Sequence, residues 1–109
     1  MPKIEYESFI EYSDELGKAH REDGPAVIWK HSNSEEYYFH GVKHRLTGPA
    51  ITLQTSFGPV YQWWVNGIEA TYEINEWAKK LNIDLNNLSD DDKTLIAIKF
   101  ADWKPGHVA

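Results

Sequence analysis

The feature that most restricts the fold of this chain is an internal repeat. Residues 17–27 and 41–51 share the pattern G-x-x-H-R-x-x-G-P-A followed by a β-branched residue, at an offset of 24 residues. Upstream, residues 37–41 and 63–67 both begin with two aromatic residues and end with glycine. The third copy then loses its His-Arg pair, because Ala70 and Thr71 occupy those positions. The chain therefore holds about two and a half units, each expected to be one supersecondary element.

Each unit has the composition of two strands joined by a turn. Residues 36–40 are aromatic and β-prone, while residues 50–55 alternate apolar and polar side chains. Gly41 can supply the positive φ of a tight turn, and Pro49 can start the next strand. Further strands are predicted within residues 3–12, 26–31 and 60–65. The hairpins in series predict an antiparallel meander of about five strands.

The composition changes at Thr71, after which the periodicity is helical. Apolar residues at i, i+3, i+4 and i+7 from Ile74 predict one helix with Thr71 as its cap. Ser89 and Asp92 have the spacing of a capping box for a second helix, which residues 105–106 are predicted to end. The apolar positions of the two helices are Ile74, Trp77, Ala78, Leu81, Leu95, Ile96, Ile98, Phe100 and Trp103.

Length and composition set the fold class and exclude several kinds of protein. The 109 residues predict one α+β domain, with β-hairpin repeats over 1–70 and a helical cap over 71–104 on one face or end of the meander. The absence of cysteine excludes a disulfide scaffold, a thiolate zinc site and a cysteine nucleophile. No apolar stretch approaches the roughly 20 residues of a membrane span, so we expect a cytoplasmic protein without a membrane partner. The net charge of −6 argues against a nucleic-acid partner.

The repeat resembles that of the MORN-repeat-variant proteins found in tailed phages and large DNA viruses. The resemblance covers about residues 12–71, and the acidic helical tail is also similar to the ending of such proteins. It implies a β-hairpin repeat fold, a viral or mobile-element origin, with action in the host cytoplasm if the origin is viral, and a binding role rather than a catalytic one. No catalytic residue is transferred to this chain from the family.

The aromatic residues of neighbouring strands form the first candidate site. Because alternate strand residues face opposite sides of a sheet, either Tyr38 and Trp64 or Tyr37 and Trp63 face away from the helices. We predict that this face binds a host protein, since Trp, Tyr and Arg dominate binding hot spots. Cross-strand stacking without any partner is the alternative. The predicted partner-binding residues are Trp63, Trp64, Tyr38, Tyr61 and Arg45.

The repeated pairs His20-Arg21 and His44-Arg45 form the second candidate site. Two imidazoles and two guanidiniums suit a small anionic ligand such as phosphate or a nucleotide, held by a sequestering protein. Recurrence in register also fits a structural role, in which His bonds the backbone of a turn and Arg pairs with an acid such as Asp23. A homo-oligomer that forms through an unprotected edge strand is a third hypothesis.

The remaining motifs do not indicate catalysis, a metal or a cofactor. His40 and His44 are four residues apart, but a glycine turn separates them. A two-histidine phosphodiesterase needs a hydroxyl residue two positions after each histidine, where this chain has Glu22 and Leu46. Nucleophile-elbow, phosphate-loop and dinucleotide motifs are absent from the sequence. We therefore expect a protein that is not an enzyme.

Overall fold

The computed structural model describes residues 2–104 as a series of short strands followed by two helices. The predicted helix stop at residues 105–106 lies outside the described residues. The strands are β1 (Lys3–Glu5), β2 (Phe9–Tyr12), β3 (Val27–Trp29), β4 (Glu35–Glu36), β5 (Tyr38–Phe39), β6 (Val42–Lys43), β7 (Ile51–Thr55), β8 (Gly58–Gln62), β9 (Trp64–Val65) and β10 (Ile68–Glu69). The helices are α1 (Thr71–Lys80) and α2 (Asp90–Phe100).

Six strands form an antiparallel main sheet in the order β1-β2-β3-β4-β7-β8. It consists of three hairpins, β1–β2, β3–β4 and β7–β8, laid side by side. The prediction of an antiparallel hairpin sheet followed by two helices is therefore confirmed. The main sheet has six strands rather than about five because residues 3–12 form a complete hairpin instead of one strand.

Two side hairpins, β5–β6 and β9–β10, lie outside the main sheet. Their two-residue turns are His40-Gly41 and Asn66-Gly67, with φ values of 48° and 83° in the first and 51° and 83° in the second. Positive φ at both positions is typical of a type I′ turn, which favours Asn-Gly. The predicted strands 36–40 and 60–65 are each interrupted by one residue at the point where the chain leaves the main sheet for a side hairpin.

The side hairpins are joined to one another by a backbone pattern that repeats. The turn glycine of each side hairpin donates its backbone N–H to a carbonyl of the preceding unit. In return, the arginine of each His-Arg pair donates its backbone N–H to a carbonyl of the following unit. These bonds are Gly41 N to Ala19 O (2.7 Å), Gly67 N to Lys43 O (2.8 Å), Arg21 N to Tyr38 O (3.4 Å) and Arg45 N to Trp64 O (3.2 Å).

The hydrophobic core lies between the last side hairpin and the two helices, so the helical cap covers one end of the repeat array. Its buried members are Trp63, Val65, Ala70, Ile74, Ile96, Phe100 and Trp103. The Trp77 ring packs edge-to-face on Phe100 at a centroid distance of 5.4 Å. Three of the apolar helix positions, Leu81, Leu95 and Ile98, lie outside this core and are 51%, 45% and 76% exposed. Neither α1 nor α2 has the length and apolar content that a membrane crossing requires.

The two helices begin differently. The capping box predicted for α2 is confirmed: Ser89 Oγ accepts the N–H of Asp92 at 3.0 Å, and the Asp92 carboxylate accepts the N–H of Ser89 at 3.1 Å. The prediction that Thr71 caps α1 is wrong. The N-cap residue is Ala70, which makes no side-chain capping bond.

Thr71 instead ends the repeat array. Its hydroxyl oxygen accepts the backbone N–H of Trp63 at 2.9 Å. In the first two units the equivalent N–H groups reach the next strand of the main sheet, from Tyr12 N to Ala26 O and from Tyr37 N to Ala50 O, at 2.7 Å each. The threonine hydroxyl therefore replaces the carbonyl that a further repeat would supply.

Replacing this hydroxyl tests its role in ending the array. We expect Thr71→Val to lower the free energy of unfolding by about 1–3 kcal/mol, because the Trp63 N–H loses its acceptor at a largely buried position. Urea unfolding measures this difference, with Thr71→Ser, which keeps the hydroxyl, as the matched control. Equal stabilities for wild type and Thr71→Val would contradict this role.

Candidate functional site

The two repeated histidines bind the turn of the following side hairpin. His20 Nδ1 accepts the backbone N–H of His40 at 3.0 Å, and His44 Nδ1 accepts that of Asn66 at 2.9 Å. Both turn residues have positive φ, so each bond holds a tight turn against the preceding unit. An accepting Nδ1 requires a neutral imidazole with its proton on Nε2. This geometry agrees with the structural alternative for the histidines.

The repeated arginines stack on tyrosine rings and bind the chain four residues ahead. The Arg45 guanidinium lies 3.9 Å from the centre of the Tyr37 ring, and its Nη1 donates to Pro49 O at 3.1 Å. Burial lowers the pKa of Arg45, and the charges of Tyr37 and Glu35 partly offset this. The contacts of Arg21 are the Tyr12 ring (4.0 Å), Pro25 O (3.2 Å) and, as predicted, the Asp23 carboxylate (3.2 Å).

The arginines also explain the glycine of the Gly-Pro-Ala segment. A Cβ at Gly48 would lie 2.7 Å from Arg45 Nη1, and one at Gly24 would lie 3.0 Å from Arg21 Cζ. A guanidinium at the end of a free side chain could move away, but these are fixed by a ring and a carbonyl. The glycine therefore leaves room for the stacked arginine. This contact explains why the arginine and the glycine are three residues apart in both copies of the motif.

A cavity of about 220 Å³ lies between the two units, and we name it the arginine cavity. It brings together three of the four predicted anion-binding residues, Arg21, His44 and Arg45, with an aromatic wall. His20 does not line it. That side chain is buried and lies instead beside a separate cavity of about 410 Å³ that Asp14 and His40 also line. The lining of the arginine cavity is Arg21, Glu22, Tyr37, Tyr38, Phe39, His44, Arg45, Leu46 and Thr47.

An Asp-His pair beside the second cavity was missed by sequence reasoning. The Asp14 carboxylate lies 2.7 Å from His40 Nδ1, and the His20 ring stacks on that of His40 at 3.8 Å. The hydrogen bond with His40 is the main cause that lowers the pKa of Asp14. The two partners are 26 positions apart in the sequence, so their pairing gave no local signal. Within residues 2–104, no cluster of three or more His, Asp or Glu side chains is arranged to hold a metal ion.

The predicted partner-binding residues do not form one surface. Trp63 is only 2% exposed and belongs to the core, so its assignment as an exposed anchor is wrong. Its ring packs with the helical cap because the third unit has Thr71 where Arg21 and Arg45 stand in the others. Arg45 is stacked on Tyr37, as described above.

The other three predicted residues differ in accessibility. The Trp64 indole N–H donates to Gln62 Oε1 at 3.0 Å, and Lys43 Nζ lies 4.5 Å from its ring centre. The Tyr38 hydroxyl donates to Glu36 Oε1 at 2.7 Å, and the residue is half-buried. Tyr61 is 42% exposed on the outer strand β8.

The strand registers place a different apolar set on one face of the main sheet, which we name the front face. Phe9 pairs with Trp29, and Leu53 pairs with Val60. Glu36 pairs with both Val27 and Ile51, which lie two residues from Trp29 and Leu53 on their own strands. Paired residues and alternate residues share a face, so all of these residues lie on the front face, whereas Tyr61 lies on the opposite, back face. The Tyr6 ring stacks on Phe9 at 4.5 Å, and Phe9 contacts Trp29 at 4.9 Å. The apolar row of the front face is Tyr6, Phe9, Trp29, Leu53 and Val60.

The apolar row is partly accessible, and a carboxylate holds one of its rings, that of Trp29. Tyr6, Leu53 and Val60 are 42%, 37% and 46% exposed, and the buried core beneath the helical cap includes none of the row. The Trp29 indole N–H donates to Glu36 Oε2 at 2.7 Å. Sequence reasoning missed the row because Phe9 and Trp29 lie outside the repeated motif. Phe9 is two residues from Glu11 and Trp29 is two residues from Val27, and this spacing could have indicated that each pair shares a face of the sheet.

Comparison of the chain with protein-family models, with curated proteins and with solved structures finds no match. The resemblance to the MORN-repeat-variant proteins therefore remains a prediction from the repeat motif.

The bond between His44 and Asn66 predicts a pH dependence of stability. Burial lowers the pKa of His44 from its ordinary value of 6.5. Above this value the imidazole is neutral in both states and the bond contributes in full. As the pH falls from 6.5 to the lowered pKa, the unfolded chain binds a proton that the folded chain does not, so the free energy of unfolding decreases.

Urea unfolding at pH 7.5 and 5.5 checks this dependence. We expect His44→Asn, which keeps an acceptor near the position of Nδ1 but does not titrate, to reduce the loss of stability between the two pH values. His31→Asn, at an exposed position between β3 and β4, is the matched control. A His44→Asn variant with the full pH dependence of the wild type would contradict the assignment.

Proposed function

We propose that this chain is a non-enzymatic protein-binding module whose front face contacts its partner through the apolar row. The proposal keeps the binding role that the resemblance to MORN-repeat-variant proteins implies. On that resemblance, the chain is a small phage-type accessory protein, and the partner is a host protein that it inhibits or redirects. The observation behind the proposal is the row of aromatic and aliphatic side chains on the front face, of which Tyr6, Leu53 and Val60 are exposed and Phe9 and Trp29 are half-buried.

The form of this surface favours a protein over a small molecule. Small-molecule sites are concave and enclose most of the ligand, whereas three of the five side chains of the apolar row are exposed on the sheet surface. Protein interfaces are enriched in aromatic side chains, and an apolar patch on a soluble domain commonly marks such an interface. Tyr6, Phe9 and Trp29 are in sequential ring contact, so they offer a connected aromatic surface with little side-chain entropy to lose on binding.

Two successive residues of β8 provide a matched test of the face. Val60 lies on the front face and Tyr61 on the back face, with 46% and 42% exposure. A protein captured from host-cell extract by the wild type is purified, and its affinity is measured by calorimetry. We expect Tyr6→Ser with Val60→Ser to weaken binding by about 10-fold or more, since both side chains would be buried at the interface. Tyr61→Ser should bind as the wild type does.

The opposite result would move the interface to the back face. If Tyr61→Ser loses the partner and the front-face double variant keeps it, the proposed surface is wrong and the earlier prediction for Tyr61 gains support. Light scattering of the chain alone separates partner binding from self-association through β1 or β8, the outer strands of the main sheet.

The arginine cavity supports a second candidate function, the binding of a small anion. The observation in its favour is the convergence of Arg21, His44 and Arg45 on one cavity. Against it, Nη1 of each arginine already donates to a proline carbonyl. Native mass spectrometry with inorganic phosphate and with a nucleotide decides between the functions. A mass gain that Arg45→Lys abolishes, without loss of thermal stability, would favour the anion site.

A further inference from the structure

We infer that the segment recognised by the front face is basic and extended: a stretch of a partner protein with alternating arginine or lysine side chains, lying across the strands beside the apolar row. This inference rests on the proposed function of the front face. It follows from the charges that lie next to the row.

Two carboxylates occupy the front face beside the apolar row, and we name Glu11 and Glu36 the acidic pair. Both residues pair with Val27, one from β2 and one from β4, so they lie on either side of β3. Two inter-strand spacings separate them, which is about 10 Å. Both are half-buried. Their charges also reach Tyr38, whose pKa is raised first by burial, then by the bond and charge of Glu36, and last by the charge of Glu11.

The acidic pair has no cation of its own in the part of the chain that the structure describes. Neither Glu11 nor Glu36 takes part in the salt bridges of residues 2–104. The residues that the strand registers place on the front face include no lysine or arginine. The bonds of Glu36 come from neutral donors, the Trp29 indole and the Tyr38 hydroxyl.

The back face shows the opposite arrangement. Its carboxylate at Glu5 forms a salt bridge with Lys30 at 2.9 Å. Its carboxylate at Glu35 is close enough to Arg45 to affect the pKa of that guanidinium. On the back face, therefore, Glu5 is paired with a lysine and Glu35 lies near a guanidinium, whereas the strand registers place no lysine or arginine on the front face beside the acidic pair. An external cation would compensate the acidic pair, and half-burial would make that interaction stronger than at a fully exposed site.

The aromatic rings next to the acidic pair also favour a cation. Arginine and lysine bind ring faces as well as carboxylates, and a planar guanidinium can do both. The chain uses the same chemistry internally, since Arg45 stacks on Tyr37 and Lys43 lies over Trp64. Same-face side chains of an extended segment are about 7 Å apart, and long cationic side chains can span the remaining distance between two glutamates.

Other occupants of the front face are disfavoured by the same charges. A second copy of this chain, packed face to face, would bring two acidic pairs together and add like-charge repulsion to a net charge of −6 on each copy. Nucleic acid would place phosphates against the same carboxylates. A basic protein segment meets both the charge and the apolar character of the surface.

The probe is a ten-residue peptide with arginine at alternate positions, compared with the same peptide carrying glutamine at those positions. Calorimetry measures affinity, and the indole N–H resonance of Trp29 reports contact at the site, because that group donates to Glu36. We expect only the arginine peptide to bind, with affinity that falls as salt rises. Glu11→Gln with Glu36→Gln should weaken binding by about 10-fold or more.

The charge change has a matched control on the back face. Glu5→Gln with Glu35→Gln removes the same two charges and should bind the arginine peptide as the wild type does. Glutamine is compatible with position 36, since Gln62 at the equivalent place in the next unit accepts the Trp64 indole N–H. If the double variant fails to fold, Glu11→Gln alone is measured, because no side-chain hydrogen bond of Glu11 is lost among the described contacts.

Three results would overturn the inference: equal affinity for the two peptides, equal losses in the front-face and back-face variants, or an unmoved Trp29 resonance. Failure of this inference is distinguishable from failure of the proposed function. If Tyr6→Ser with Val60→Ser loses the captured protein while the arginine peptide does not bind, the front face is an interface and its partner segment is not basic.

Discussion

The structure depends on a hydrogen bond from a strained turn to a histidine of the preceding unit. A two-residue hairpin loop with positive φ at both positions leaves a backbone N–H directed away from its own hairpin. Here the N–H groups of His40 and Asn66 reach His20 Nδ1 and His44 Nδ1. Successive units are thereby held in fixed register without a large core between them. The main sheet can then be built of strands as short as two residues.

The arginine that follows each histidine adds further contacts at the same place in the repeat. Arg21 stacks on Tyr12, the last residue of β2, and Arg45 stacks on Tyr37, the residue directly after β4. Each also donates to the proline carbonyl two residues before the next main-sheet strand, so one side chain connects both ends of the segment between two strands. Its guanidinium requires the glycine before Pro25 and Pro49. The motif G-x-x-H-R-x-x-G-P-A is thus one set of mutually dependent contacts. This explains why the residue types recur together.

The repeat array ends where the contacts of this motif are lost. With Thr71 in place of arginine, nothing stacks on Trp63 from its own unit, and the ring becomes part of the core beneath α1 and α2. The threonine hydroxyl accepts the N–H that has no further strand to bind. The third unit lacks both the His-Arg pair and the Gly-Pro-Ala segment, and at this point the repeating sheet gives way to a capped end, which limits its tendency to add further strands.

The fold was predictable to the extent that it is local. The repeat, the glycine turns and the capping box at Ser89 indicated hairpins and helices correctly. The interruption of strands at Tyr37 and Trp63 was not predictable, because consecutive aromatic residues fit a continuous strand equally well. That one-residue break decides which face each aromatic residue occupies. The burial of Trp63 and the half-burial of Tyr38 follow from it.

The candidate site was harder to predict because it lies outside the repeated motif. Residues that recur in both complete units, such as His44 and Arg45, are occupied by contacts within the fold, since His44 accepts a turn N–H and Arg45 donates to a carbonyl. Trp29 has no aromatic counterpart in the register of the β7–β8 hairpin, and Glu11 has no described cation. Side chains that the repeat does not require are the ones free to be selected for binding. In a repeat protein, the search for function therefore begins with the positions at which the units differ.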